Sequence, residues 1–359
     1  MKKFGILTFH FGDNYGAVLQ CYALRTTVNS IPDCSAEVIN YNPGRKYPWF
    51  TEDIWQDKFI KKLERYHEFN KNDNGITDEQ FNDINELDQE KYDGFIVGSD
   101  QVWNTGFSYF NTAYLLDFAN SDKRKIAYAA SVGLAVDSPR LKRDVFEKYI
   151  PHFDYLSVRE KTHKDFIGSF TDKNVEAVLD PTMLLESHNY DELIKDIEMD
   201  KSVEAEGDYI FFYYLKHDNT TPLACNFVNM LSRKYNLKVV HFYVDMPEHV
   251  FKNEDKSFYF DGPKEFLWYI KHAKIVVTNS FHGTVFSILY HKPFYTYIVK
   301  SMESRVVDLL STLGVSDRII RGYKPLGEVT LDIDFDSVDM KLAKEREKSM
   351  RFLRKALED

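Results

Sequence analysis

An α/β architecture of two doubly wound, largely parallel-sheet domains follows from three observations on this chain. At 359 residues it is too long for one ordinary core and fits two domains of common size. Short apolar runs alternate with longer amphipathic stretches, the pattern of βαβ units. The alternation runs through two cycles, separated by a charged stretch with a turn at Gly207.

The first cycle opens with a strand at Phe4 to Phe9, then a Gly/Asn turn and a helix from about Gly16. A second strand, Ala36 to Tyr41, stops at Asn42-Pro43-Gly44, a strong turn signal. Residues 48–90 are polar and rich in Asn and Asp, which reads as a helical insertion leaving the sheet. Strands resume at Gly94 to Val97, Lys125 to Ala129, Tyr155 to Val158 and Ala177 to Leu179, completing a first domain over residues 1–185. The second domain, residues 186–335, is expected to hold strands at Tyr209 to Tyr214, Lys238 to Tyr243 and Lys274 to Thr278. Its helices are expected at Pro222 to Tyr235 and Pro263 to His272. Residues 336–359 form a charged helix with Val338, Leu342, Phe352 and Leu353 on one side, suited to crossing back to the first domain.

Composition removes several classes. A formal charge of -10 argues against nucleic-acid binding, which needs a basic face. The cysteines Cys21, Cys34 and Cys225 form no C-x-x-C pair, so neither a disulfide framework nor a cysteine metal site is expected. The start, Met1 to Phe9, is basic but its apolar run is short and reads as a strand, so a cytoplasmic protein is expected. No run reaches the roughly 18 apolar residues of a membrane span. There is no G-x-S-x-G elbow, H-E-x-x-H, P-loop or kinase set, which disfavours a hydrolase triad or metal enzyme.

The chemistry is sought where strands end. Thr278-Asn279-Ser280-Phe281-His282-Gly283-Thr284 leaves a buried strand and enters a helix through good capping residues. Gly283 is expected to let a ligand approach the backbone, and a helix head offers N–H groups to an anion. An anion beside an imidazole favours its protonated form, so His282 is either a proton donor or a residue bonded inside the turn. Val97-Gly98-Ser99-Asp100-Gln101-Val102-Trp103-Asn104 also empties a strand into a polar turn. There Asp100 orients a sugar hydroxyl or caps a helix, and Trp103 meets substrate or packs. Asn14 and Gly16, in the first turn after a strand, line an acceptor cleft or start the helix. Arg159, just past Val158, pairs an anion in bidentate fashion or bonds Glu160 on the surface. Asp180-Pro181 reads as structural.

Together these stretches resemble the polysaccharide pyruvyl transferase family. The resemblance rests on Asn14 to Gln20, Val97 to Asn104, Ser131-Val132-Gly133, Ser157 to Glu160, Val178 to Thr182 and Ser280 to Thr284, covering about Met1 to Gly314. It implies a glycosyltransferase-like fold of the GT-B type, with two Rossmann-like domains facing a central cleft, and no metal or other cofactor. It also implies transfer of the pyruvyl group of phosphoenolpyruvate to a sugar of a surface or exopolysaccharide precursor, as a ketal. His282 resembles the family histidine that contacts the donor, and Arg159 the arginine reaching the same ligand. Many members carry Arg two residues before that histidine, where this chain has Ser280. Lys216 or Lys300 then supplies the charge, or the donor differs.

Three functions compete: the ketal pyruvyltransferase; a GT-B glycosyltransferase using a nucleotide sugar, with Glu265 or Glu303 on ribose; and a non-enzymatic sugar or anion binder. The acceptor is a saccharide, free or lipid-linked, and contact with the inner membrane face through Trp49, Phe50 and Trp55 is left open. The expected binding set is Asn14, Gly16, Ser99, Trp103, Lys216, Asn279, Ser280, Gly283 and Thr284, with His282, Arg159 and Asp100 catalytic.

Overall fold

The computed structural model describes residues 1–11, 14–44, 53–197, 209–215, 220–242, 251, 254–257, 261–298 and 303–359. The contacts divide the chain into two units. Unit 1 comprises Met1–Gln56, Tyr66–Leu185 and Leu342–Asp359, and unit 2 comprises Asp57–Arg65 and Glu186–Lys341.

Unit 1 is built on strands β1 (Lys2–Leu7), β2 (Cys34–Tyr41), β3 (Ile76–Phe81), β4 (Gly94–Val97), β5 (Arg124–Ala130), β6 (Tyr155–Val158) and β7 (Val175–Ala177). The helices around them are α1 (Tyr15–Asn29), α2 (Asp53–Asn72), α3 (Arg143–Tyr149) and α4 (Lys164–Gly168). All pairings are parallel, in the order β3-β2-β1-β4-β5-β6-β7. Neighbouring residues of β1 and β4 enter different core clusters: Leu7, Phe95 and Val97 one, Ile6 and Ile96 the other. Successive strand side chains point to opposite faces, so both faces of this sheet are covered, which explains the unbroken apolar run of β4.

The polar segment expected to leave the sheet contributes α2 and also the edge strand β3. Three of the six β3 residues, Asp78, Glu79 and Gln80, are exposed. An edge strand buries little and tolerates charge, so its sequence shows no apolar alternation.

Unit 2 repeats the scheme with β8 (Tyr209–Tyr213), β9 (Lys238–Phe242), β10 (Glu254–Ser257), β11 (Ile275–Thr278), β12 (Phe294–Tyr297) and β13 (Ile319–Ile320). Its helices are α5 (Ser187–Ile194), α6 (Thr221–Tyr235), α7 (Pro263–His272), α8 (Phe281–Leu289) and α9 (Glu303–Leu313). The strands are again parallel, in the order β10-β9-β8-β11-β12-β13.

The last helix, α10 (Phe335–Glu358), belongs to unit 1 from Leu342 onward. Phe352, Leu353, Ala356 and Leu357 pack with Phe4, Ile6 and Val38. Its final carbonyls meet cations: Lys2 Nζ lies 3.1 Å and Arg124 Nη1 2.8 Å from Leu357 O. Positive charge at the negative end of the helix dipole is stabilising. No helix among the described residues is long and apolar enough to cross a membrane.

Candidate functional site

In a doubly wound sheet the strand order reverses at one point, and ligands bind outside the carboxyl ends of the strands there. In unit 2 that point lies between β8 and β11. The two loops are stitched together, because Asn279 Oδ1 accepts the Leu215 N–H at 2.8 Å. Asn279 is 2% exposed, and its Nδ2 has no hydrogen-bond partner among the described residues. A buried donor left unsatisfied costs about 1–3 kcal/mol, so the unmatched amide marks a place where a ligand acceptor would be stabilising.

Ser280 follows in extended conformation and caps α8, its Oγ accepting the Gly283 N–H at 3.2 Å. Phe281 and His282 are the first residues of the helix, whose early N–H groups have no carbonyl one turn back. His282 is 7% exposed, with its ring edge-on to Phe281 at 5.1 Å. Every residue of α8 is buried.

Two expectations for this turn change. Gly283 is helical, and a Cβ there would sit 2.7 Å from Thr278 Oγ1 and 3.2 Å from its Cβ and Cγ2. Its missing side chain lets α8 press onto the end of β11, a reason in packing rather than ligand approach. Thr284 is fully buried, bonded to Ser280 O at 3.0 Å and to Thr296 Oγ1 at 2.8 Å. It fixes α8 to β12 and presents no surface to a substrate. Lys216, Lys300, Trp49 and Phe50 lie outside the described residues, as do the side chains of Trp55 and Glu303. Glu265, considered for ribose, has Oε1 3.6 Å from Arg65 Nε, and burial pushes its carboxyl above the usual range.

Unit 1 reverses between β1 and β4, and there too the loops are tied. Thr8 Oγ1 donates to Ser99 O at 2.8 Å and accepts from Gln20 Nε2 at 2.9 Å. Asn14 caps α1, its side chain accepting the Ala17 N–H at 3.2 Å, and Gly16 is buried in that first turn. Asp100 adopts the left-handed region at φ 73°, with its carboxylate accepting the Gln101 N–H at 2.9 Å. A non-glycine residue held there is strained, a condition that clusters at functional turns.

The remaining candidates form one buried network. Arg159 Nη1 donates to Asp180 Oδ2 at 2.8 Å and its Nε to Glu160 Oε1 at 3.2 Å. Ser99 Oγ donates to Asp180 Oδ2 at 2.8 Å, and Ser131 Oγ to Glu160 Oε1 at 2.7 Å. His163 adds Nδ1 at 3.3 Å from Glu160 Oε2. Burial opposes the Arg159 charge, but the carboxylates of Glu160, Asp180 and Asp100 outweigh it and hold the guanidinium more firmly protonated than usual. Ser157 serves the same assembly by satisfying a bulge in β5, accepting from Ala129 N at 3.0 Å and donating to Ala127 O at 2.8 Å.

The surface pairing considered for Arg159 is therefore corrected: the pair with Glu160 is buried and shared with Asp180, 21 residues away. Ser99 and Trp103, expected to bind substrate, are both fully buried. The Trp103 Nε1–H donates to Tyr114 O at 2.8 Å and the ring packs edge-on against Phe146 and Phe153, so it is core. The sequence reading missed Thr8 and His163; the spacing of Glu160 and His163, three apart, was the available signal for the second. Among the described residues no group of three or more His, Cys, Asp or Glu could hold a metal ion.

Comparison with known proteins agrees with this layout. UDP-GlcNAc 2-epimerase of Methanocaldococcus jannaschii, in complex with UDP-GlcNAc and UDP, superposes with a TM-score of 0.55 at 14% identity, covering 99% of each chain. The Rickettsia bellii UDP-N-acetylglucosamine 2-epimerase gives 0.55 at 10% identity, over 98% of this chain and 96% of that one. At such identities the likeness establishes the fold alone, two Rossmann-like domains of the GT-B type. No curated protein sequence matches significantly. The family model described as polysaccharide pyruvyl transferase matches residues 14–301, from the cap of α1 past the head of α8, and the chain therefore belongs to the polysaccharide pyruvyl transferase family.

Proposed function

We propose that this transferase moves the pyruvyl group of phosphoenolpyruvate onto two hydroxyls of one sugar in a surface or exopolysaccharide precursor, forming a ketal without a metal. The observation that carries the reading is the head of α8. A capped helix N-terminus bears roughly half a positive charge, His282 stands in its first turn, and the buried Asn279 Nδ2 lacks a protein acceptor among the described residues. Phosphate and carboxylate are the groups such a place favours.

The reaction adds a proton to the methylene carbon of the donor, leaving C2 as an oxocarbenium ion. One hydroxyl adds to C2, the bond from C2 to the phosphate oxygen breaks, and the second hydroxyl closes the ketal. Of the two hydroxyl protons released, one balances the proton given to the methylene group and the other leaves on phosphate. His282 is the acid in this scheme and the α8 head holds the donor anion. Arg159, gripped by Glu160 and Asp180, is a positioning residue that holds the loops after β4 and β6. The acceptor is met in the cytoplasm, on a lipid carrier at the inner membrane face or free.

The test is phosphate release from phosphoenolpyruvate that requires a saccharide and survives chelation. His282→Ala should abolish it while the circular dichroism spectrum is kept. A second reading, transfer from a nucleotide sugar, is favoured by Ser280 standing where an Arg is expected, since a helix head accepts a diphosphate equally well. Thermal protection by a nucleotide sugar, with no acceptor eliciting phosphate release, would establish that reading instead.

A further inference from the structure

A cavity of about 310 Å3 lies wholly within unit 1, at the carboxyl ends of β1 and β2 against α2 and β3. Its base is preorganised. The buried His10 is kept neutral to lower pH than usual, first because it is desolvated. Its Nδ1 lies 3.0 Å from Thr8 O and its Nε2 3.3 Å from Asn40 Oδ1, and the single N–H of the neutral ring donates to one of these two oxygens. Asn70 Nδ2 donates to His10 O at 2.8 Å, and its Oδ1 accepts from Asn74 Nδ2 at 2.7 Å. Thr77 Oγ1 accepts the Asn40 N–H at 3.1 Å.

The lining is chemically specific. Carboxamides from four residues face the cavity together with two imidazoles, while one Lys and one Asp leave it without formal net charge. Carboxamides offer donor and acceptor side by side, which is what a hydroxyl needs, and Phe11 and Tyr66 add apolar ring faces. An anion would call for clustered cations or a helix head, and an acyl chain for an apolar lining. The volume falls at the small end of the roughly 300–1,000 Å3 usual for ligand pockets, suiting a monosaccharide or short saccharide.

We propose that this cavity is the subsite for the neutral saccharide, reading its hydroxyls through Asn40, Gln80 and His67. The assignment rests on the saccharide-transfer reading for its biological sense but is measured apart from it. Saturation-transfer NMR on the intact chain would use methyl glycosides of glucose, galactose, mannose and N-acetylglucosamine, with phosphoenolpyruvate and inorganic phosphate as anionic probes. At least one glycoside should receive saturation. Gln80→Ala and His67→Ala, both at exposed positions that leave the core intact, should each weaken it about fivefold, the loss of one hydrogen bond of about 1 kcal/mol. Neither substitution should alter the response of the anionic probes. The assignment is overturned if no glycoside responds, if the response survives both substitutions, or if the anionic probes are the ones weakened. A glycoside mapped to the cavity, with no consumption of phosphoenolpyruvate, would uphold this subsite while removing the proposed donor.

Discussion

Replacing Gly283 by Ala separates two opposed effects at the head of α8. By intrinsic helix propensity alone the change should stabilise by up to about 1 kcal/mol. Against it stands the new Cβ, 2.7 Å from Thr278 Oγ1 and 3.2 Å from two further atoms of the same side chain. Thr278 is in no position to give way. Its hydroxyl donates to Tyr213 O at 2.6 Å and accepts the Ser280 N–H at 2.9 Å, so rotating it breaks both bonds. The helix must shift instead, at a cost of about 1–3 kcal/mol for overpacking a core. The net expectation is a loss of up to about 2 kcal/mol, or up to about 8 °C in Tm for a unit of this size. His282, one residue away, moves with the helix, so kcat should fall as well. Urea and thermal unfolding of the variant measure the loss. In a Thr278→Ala background the Oγ1 and Cγ2 contacts are gone and only the 3.2 Å approach to Cβ remains, so the same substitution should cost less than it does with Thr278 intact. A rise in Tm with Thr278 intact would refute the packing account of Gly283.

Two further outcomes test unit 1. Arg159→Met leaves Glu160 and Asp180 buried without their cation, and removing one partner of such an assembly costs about 3–5 kcal/mol; a loss under about 1 kcal/mol by urea unfolding would show that the guanidinium does not hold the network. His10 titrates below its ordinary value of about 6.5 because it is buried. As pH falls through that value the unfolded chain takes up the proton first, so this contribution is full above about pH 6.5 and is lost below it until the folded imidazole protonates. His10→Gln should flatten that part of the stability profile, and equal profiles for the two proteins would contradict the burial argument.

The elements that anchor the site were readable because local signals agree. Ile275 to Val277 is apolar without interruption and runs through Thr278 into Asn and Ser, and β11 and the cap of α8 lie there. Pro263 and Pro222 mark helix starts, and both stand in the first turns of α7 and α6. Strands β3, β10, β12 and β13 escaped notice because they are short or polar, and their place comes from pairing with a neighbour that local sequence does not announce. The environment of Arg159 was out of reach for a related reason. Glu160 is adjacent in sequence, but Asp180 and Ser99 arrive from other strands. Gly283 was recognised as necessary for the wrong cause, since the atom that excludes a side chain belongs to Thr278, and residue types alone do not give that separation.

The return of α10 to unit 1 sets an order on biosynthesis. Phe352, Leu353, Ala356 and Leu357 cover apolar side chains of β1 and β2, yet they leave the ribosome only after every residue of unit 2. Until then the nascent first sheet keeps one part of its apolar surface bare, and chaperone occupancy of stalled chains should end only once the codons for these residues have been read.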